Sequence, residues 1–160
     1  PHEAERLQAL LAHLGRARLL AVTHGRDTGV DAVNAQLHAR AAGGHRSSFV
    51  VGEPVMVLRN DYGRGLWNGD QGVVVRVASD GERRLCAAFP SRQGFTIVDV
   101  HALAGSLTHA YALTVHKAQG SEYDVVGLLL PDEPMPLLSR ELVYTALTRA
   151  RRAVTIVGHA

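Results

Sequence analysis

Residues 114–130 read Thr-Val-His-Lys-Ala-Gln-Gly-Ser-Glu-Tyr-Asp-Val-Val-Gly-Leu-Leu-Leu, and this stretch decides the fold. A polar, helix-compatible segment stops at Gly120. An apolar run then fills 124–130 and is closed by Pro131-Asp132-Glu133-Pro134. Continuous rather than alternating apolarity marks a strand buried on both faces, the usual condition of a parallel sheet covered by helices. Working backward, Thr108 is placed to cap a helix running to about Gln119, with Gly120 as its stop. Working forward, Ser139 is placed to cap a helix to about Ala150, on which Leu138, Leu142 and Ala146 share a face. Residues 153–157 then make a further buried strand.

The same rhythm opens the chain. Ala4, Leu7, Leu10, Leu11 and Leu14 recur at helical spacing until Gly15, and Leu19-Leu20-Ala21-Val22 is a short apolar strand. A polar turn over 23–29 leads into a second helix carrying Val30, Val33 and Leu37, which Gly43-Gly44 ends. Between these halves the pattern changes. Segments 55–58, 72–77, 85–89 and 96–100 are short and β-rich. They are split by Asn60-Asp61-Tyr62-Gly63, Asn68-Gly69-Asp70 and Ser79-Asp80-Gly81. The expected architecture is an α/β parallel-sheet lobe in two parts, 1–46 and 105–160, around an inserted small β-barrel at 47–104.

Composition sets the outer limits. With 46% hydrophobic and 20% charged residues the chain has a globular composition, outside the disordered class. No apolar run approaches the ~20 residues of a membrane span. A single cysteine, Cys86, excludes an internal disulfide and a Cys-rich zinc site, fits a reducing compartment, and reads as a core residue of a strand. The net charge of +2 does not by itself announce a nucleic-acid partner. Lys117 is the only lysine, a bias that codon usage in a GC-rich genome explains. The start at Pro1-His2-Glu3, without Met and with a helical pattern already running, leads us to expect a piece of a longer protein.

No G-x-x-x-x-G-K-[ST] loop, zinc-finger or H-E-x-x-H spacing, or G-x-S-x-G elbow occurs, which argues against a self-contained hydrolase and against a metal site. Two stretches could carry chemistry. In 114–123, Thr114, His116 and Lys117 offer hydroxyl, imidazole and ammonium donors to phosphate oxygens, and Glu122 offers an acceptor to a sugar hydroxyl. A solvated helix end explains the same residues. In 139–152, Arg140, Arg149, Arg151 and Arg152 cluster near a helix end. They either offset its dipole or send one guanidinium toward a phosphoryl group.

In order and spacing, TVHKAQGSEYD (114–124), the apolar strand after it, and SRELVYTALTRARR (139–152) resemble motifs V and VI of superfamily-1 helicases of the RecD type. GEPVMVLRNDYGRGLWNGDQG (52–72) is similar to the start of the Src-homology-3-like barrel inserted in the second RecA-like lobe of these enzymes. Residues 19–34 resemble the strand, turn and helix around motif IV. The resemblance spans nearly the whole chain. It implies the C-terminal RecA-like lobe of a cytoplasmic bacterial ATP-dependent DNA helicase, the exodeoxyribonuclease V alpha chain, acting in DNA repair and recombination. ATP and Mg2+ would sit against a preceding RecA-like lobe of the same chain. That lobe would supply the phosphate loop and the metal ligands, so these residues alone would be inactive. The implied partners are single-stranded DNA and the RecB and RecC subunits, with no membrane.

Carried over by position, the resemblance makes Arg149 the catalytic arginine on the γ-phosphate. It puts Gly120 and Glu122 near the nucleotide, and Thr114, His116 and Lys117 near the DNA backbone. The turn after the first strand departs from the family's Leu-Arg-x-Gly-Pro. His24 stands where the Arg is expected, Arg26 follows two residues later, and the Pro is missing. Arg26 is therefore a substitute nucleotide contact, or that contact is lost. Asn34 matches the family's Asn, and local capping explains it as well. Trp67, with Tyr62, Arg59 and Arg64 in one loop, is either a stacking platform for a DNA base or the core tryptophan of a small barrel. Two rival functions stay open. One is a stand-alone RecD-like or relaxase-type helicase, and the other is a non-catalytic docking or DNA-binding lobe.

Overall fold

The computed structural model describes residues 2–79 and 81–158. It divides into two compact units: the chain up to Leu11 with Leu37–Ala110, and Ala12–Gln36 with the chain from Tyr111 onward. The boundaries fall inside α1 (His2–Leu14) and α2 (Val30–Ala42).

The second unit holds a fully parallel sheet. Its strands are β1 (Ala17–Ala21), β7 (Ala112–Thr114), β8 (Tyr123–Leu129) and β9 (Ala150–Val157), in the order β7-β1-β8-β9. Leu20 faces Leu113 on one side and Leu128 on the other, and all three are essentially inaccessible. Asn34 is buried in α2. Its side-chain carbonyl accepts from the Ala112 N–H at 2.8 Å and its amide donates to the Ala112 carbonyl at 3.2 Å. Asn34 thus satisfies both backbone groups of an edge-strand residue, which a capping role does not describe. After β8, α3 (Arg140–Leu147) opens on Ser139, whose hydroxyl accepts from the Leu142 N–H at 3.2 Å.

The first unit holds a purely antiparallel sheet, ordered β5-β4-β3-β2-β6. Its strands are β2 (Pro54–Val57), β3 (Gln71–Ser79), β4 (Glu82–Ser91), β5 (Gly94–Asp99) and β6 (Leu107–His109). A 3-10 turn, Val100–Leu103, follows β5. Val55, Val57, Leu66, Val74, Phe89 and Leu103 form the heart of its core. Gly72 is required there, because a Cβ at that position would lie 2.5 Å from the Ala88 carbonyl oxygen and 2.7 Å from the Phe89 ring. Cys86 is buried in β4, where burial and the Asp99 carboxylate push its thiol pKa up and keep it unreactive.

Two local expectations change. The helix predicted from Thr108 to Gln119 is instead β6, a kink and β7. Thr108 pairs with Met56, and Ala112, Leu113, Thr114 and Val115 are all buried in succession. A helix buries one stripe, whereas a covered parallel strand buries both faces, so four consecutive buried residues select the strand. Beyond it only tight turns remain: the Ala118 N–H donates to Thr114 O at 3.1 Å and the Ser121 N–H to Ala118 O at 3.1 Å. Gly120, at φ +82°, still ends the last turn. The other change is β9. It starts at Ala150 rather than 153, and it is an edge rather than a buried strand, with Ile156 and Val157 about half exposed. No described helix is long and apolar enough to cross a membrane.

Candidate nucleotide and nucleic-acid site

Motif V begins at the carboxyl end of β7 and must reach the amino end of β8, because the two strands run parallel. Residues 115–122 therefore travel from one edge of the sheet to the other. At the starting edge Thr114 is buried, and its hydroxyl accepts the Lys117 N–H at 3.2 Å. The hydroxyl that the sequence offers to a phosphate thus shapes the turn, leaving His116 exposed and Lys117 half-buried beside it.

At the arriving edge the chain meets motif VI. The Tyr123 N–H donates to the Arg149 carbonyl at 2.8 Å. The Arg149 guanidinium is held by three acceptors: Thr145 O at 3.2 Å, Ser121 O at 3.4 Å and Thr148 Oγ1 at 3.2 Å. Thr148 in turn donates to Thr145 O at 3.0 Å, so its hydroxyl is fixed to receive the guanidinium. Neighbouring Glu122 pairs with Arg151 Nε at 2.9 Å, both side chains being more than half exposed. Gly120, Glu122 and Arg149 are thus brought to one edge from two motifs. Arg151, one of the clustered arginines, joins them, as does the Ser121 carbonyl, which only the structure reveals, since a backbone oxygen leaves no trace in composition.

Arg26 is not brought there. It follows the carboxyl end of β1 and binds Glu133 at 2.8 Å, beyond the carboxyl end of β8. The seven residues of β8 separate this edge from Arg149, on the order of 20 Å of extended chain. Arg26 is also the one described non-glycine residue at positive φ, +85°. It stands where the family's Leu-Arg-x-Gly-Pro turn has glycine, which takes that conformation without strain. Such strain costs about 1–3 kcal/mol, against at most about 1 kcal/mol for an exposed ion pair. Arg26→Gly is therefore expected to raise stability by about 1 kcal/mol after glycine's own entropy cost, seen as a higher urea midpoint at unchanged slope. A lower midpoint would mean that the Glu133 pair outweighs the strain.

Trp67 belongs to the first unit, in the loop between β2 and β3. There Leu66, fully buried, anchors the hairpin by bridging to Asp61. Trp67 and Tyr62 point outward, 51% and 75% exposed, edge to face with ring centroids 5.4 Å apart. The core reading of Trp67 is thereby answered, since its neighbour Leu66 fills the core instead. Asp70 accepts the Trp67 N–H at 2.8 Å and Asn60 the Asn68 N–H at 2.8 Å. The Arg64 guanidinium bonds Asp61 and holds that carboxyl below its usual range. The aromatic pair is presented on a braced loop.

Residues 109–157 match the family of UvrD-like helicase C-terminal domains. Across 92% of its length the chain is 40% identical to the RecBCD enzyme subunit RecD of Mycolicibacterium smegmatis. The chain is a relative of RecD. It spans 26% of that subunit, about a quarter of its length. It is also 41% identical over 109 residues to the ATP-dependent RecD2 DNA helicase of Deinococcus radiodurans, matching 68% of this chain and 14% of that protein. Among solved structures, the Bacteroides Pif1 helicase in complex with ADP-AlF3 and single-stranded DNA is similar, with a TM-score of 0.57 and 20% identity. That match covers 95% of this chain and 44% of Pif1. The mixed α/β fold with its parallel sheet is thus that of a helicase lobe.

Proposed function

We propose that these residues form the C-terminal motor lobe of a RecD-like, ATP-dependent DNA helicase. It would couple ATP hydrolysis to translocation on single-stranded DNA during double-strand-break repair and recombination in the bacterial cytoplasm. The observation that carries this reading is the gathering of Arg149 with Gly120 and Glu122 at one sheet edge. A guanidinium with five forked donors suits a phosphoryl group, and an adjacent carboxylate suits a ribose hydroxyl. The donor set therefore fits a nucleoside triphosphate. When bound, ATP supplies the hydrolysable phosphoanhydride, and by the resemblance the preceding lobe of the full chain supplies the phosphate loop and the Mg2+ ligands. The contribution of this lobe is to hold the guanidinium on fixed acceptors and aim it. Because motif V runs between that edge and the one carrying His116 and Lys117, a shift at the nucleotide is transmitted through residues 118–121 to the DNA-facing turn. RecB- and RecC-type subunits are the partners this reading takes, supported by the 40%-identical relative that covers 92% of the chain and is named a RecBCD enzyme subunit.

In domain terms the proposal is a RecA-like lobe, 1–46 and 105–160, carrying a Src-homology-3-like barrel at 47–104. The exposed Tyr62–Trp67 pair gives that insertion a base-stacking surface. Trp67→Ala is expected to weaken binding of the full chain to a labelled oligo-dT about 10-fold, in line with ~1–3 kcal/mol per stacked base. Its melting temperature should not change, since the ring fills no core. Unchanged anisotropy titrations would place the strand elsewhere. The reading as a whole is tested by single-stranded-DNA-stimulated ATP turnover in the full chain, reconstituted with RecB- and RecC-type subunits where needed. No stimulation would leave a docking lobe.

A further inference from the structure

Three side chains distant in sequence converge inside the unit built on residues 37–110. They are His38 in α2, Glu53 just before β2 and His109 at the end of β6. The Glu53 side chain is 1% exposed, and those of His38 and His109 are 21% and 17% exposed. Antiparallel pairing makes this meeting possible, because Val55 lies opposite His109 and the Ala110 N–H donates to Pro54 O at 2.8 Å.

The protonation pattern follows from the hydrogen bonds. His38 Nε2 lies 3.0 Å from the Ser47 carbonyl oxygen, which can only accept, so Nε2 carries a proton. The neutral ring then directs a lone pair from Nδ1 at Glu53 Oε1, 2.7 Å away. Two lone pairs approach that closely only with a cation between them, either a proton or a metal ion. Glu53 Oε2 faces His109 Nε2 at 3.3 Å and accepts the Val50 N–H at 2.7 Å. The His109 ring is clamped, its centroid 4.4 Å from that of His38 and 4.7 Å from that of Phe49.

We propose that His38 Nδ1, a Glu53 carboxylate oxygen and His109 Nε2 form a site for one divalent transition ion of the Zn2+ class. The three donor atoms lie within 4.8 Å of one another. Ligands at ~2.0–2.2 Å around a tetrahedral centre sit roughly 3.4 Å apart. The 3.3 Å between His109 Nε2 and Glu53 Oε2 already meets this, and the 2.7 Å between His38 Nδ1 and Glu53 Oε1 opens by about 0.7 Å, each imidazole facing its own carboxylate oxygen. Two imidazoles and one carboxylate suit Zn2+, Co2+ or Ni2+, whereas Mg2+ and Ca2+ ask for a shell of oxygens. The Nε2–H bond to Ser47 O is the outer hydrogen bond that orients a metal-bound histidine. Water would complete the shell. The ion would staple α2, the 47–53 segment and β6 together. No step of the proposed motor depends on it.

The test is a Co2+ titration of the metal-stripped full chain near neutral pH. One equivalent is expected to bind with the intense visible bands of a four-coordinate site, which Zn2+ then bleaches. His109→Gln and Glu53→Gln should each weaken binding by more than the ~10–100-fold that loss of an outer partner costs. His101→Gln, an imidazole of the same unit outside the cluster, should bind as wild type. Zn2+ should also raise the melting temperature of the wild type over an EDTA control, a readout that requires no variant to fold. A pale six-coordinate Co2+ spectrum, or equal binding by His109→Gln and wild type, would overturn the site and leave a proton between His38 and Glu53.

Discussion

Arg149→Ala in the full chain is expected to lower single-stranded-DNA-stimulated ATP turnover by about 10³-fold or more, while the affinity for single-stranded DNA stays within a few-fold. The size follows from what an arginine placed on a transferring phosphoryl group supplies, ~10³–10⁵ in rate in well-studied cases. The selectivity follows from geometry: Arg149 sits at the sheet edge where motif V arrives, and His116 and Lys117 at the edge where it departs. Because Arg149 also bonds Thr145 O and Ser121 O, alanine removes a tie between α3 and motif V. A companion Arg149→Lys separates the two roles. It keeps a cation but loses the planar fork, so it should recover fold stability better than turnover. Equal turnover by wild type and Arg149→Ala would retain the helicase and remove Arg149 from its site.

Phe89→Ala is expected to cost about 3–5 kcal/mol, the usual loss for a large aromatic deleted from a core. Phe89 is completely inaccessible, packs among Val55, Val57, Val74 and Leu103, and rests its ring where a Gly72 side chain would otherwise stand. Denaturant unfolding followed by near-ultraviolet circular dichroism would read it. The antiparallel unit should lose its midpoint first, since the residue belongs to that core alone. A cost below about 1 kcal/mol would mean that the neighbours collapse into the gap.

Much of the fold is legible because it rests on local chemistry. Ser139 reads as a cap because a hydroxyl before an apolar-periodic run has an amide to receive, and the Leu142 N–H is that amide. The turns at Asn68-Gly69-Asp70 and Gly43-Gly44 are legible for the same reason. Residues 107–119 are not. Their apolar positions satisfy helix and strand spacing equally, and only the strands already waiting, β2 for Leu107–His109 and β1 for Ala112–Thr114, decide between them. Within the site, Arg149 and Glu122 stand out as charges in recognisable surroundings. The Ser121 carbonyl cannot be read from a side chain, and Arg26 is misleading, because a positive φ and a partner at Glu133 are properties of the folded turn. His38, Glu53 and His109 lie 15 and 56 positions apart, and no spacing rule joins them before β2 and β6 pair.

The connectivity of the parallel sheet has a consequence for how the chain is made. The strands that flank β1 lie on the order of a hundred residues further along the chain, while β2, β3 and β4 each pair with the next strand in sequence. As the polypeptide emerges from the ribosome, the antiparallel unit is complete at Ala110, before either neighbour of β1 has been synthesised. Leu19 and Leu20 therefore wait unpaired through the whole translation of the intervening unit. They are the part of the nascent chain most exposed to pairing with the wrong strand, and the parallel sheet closes last.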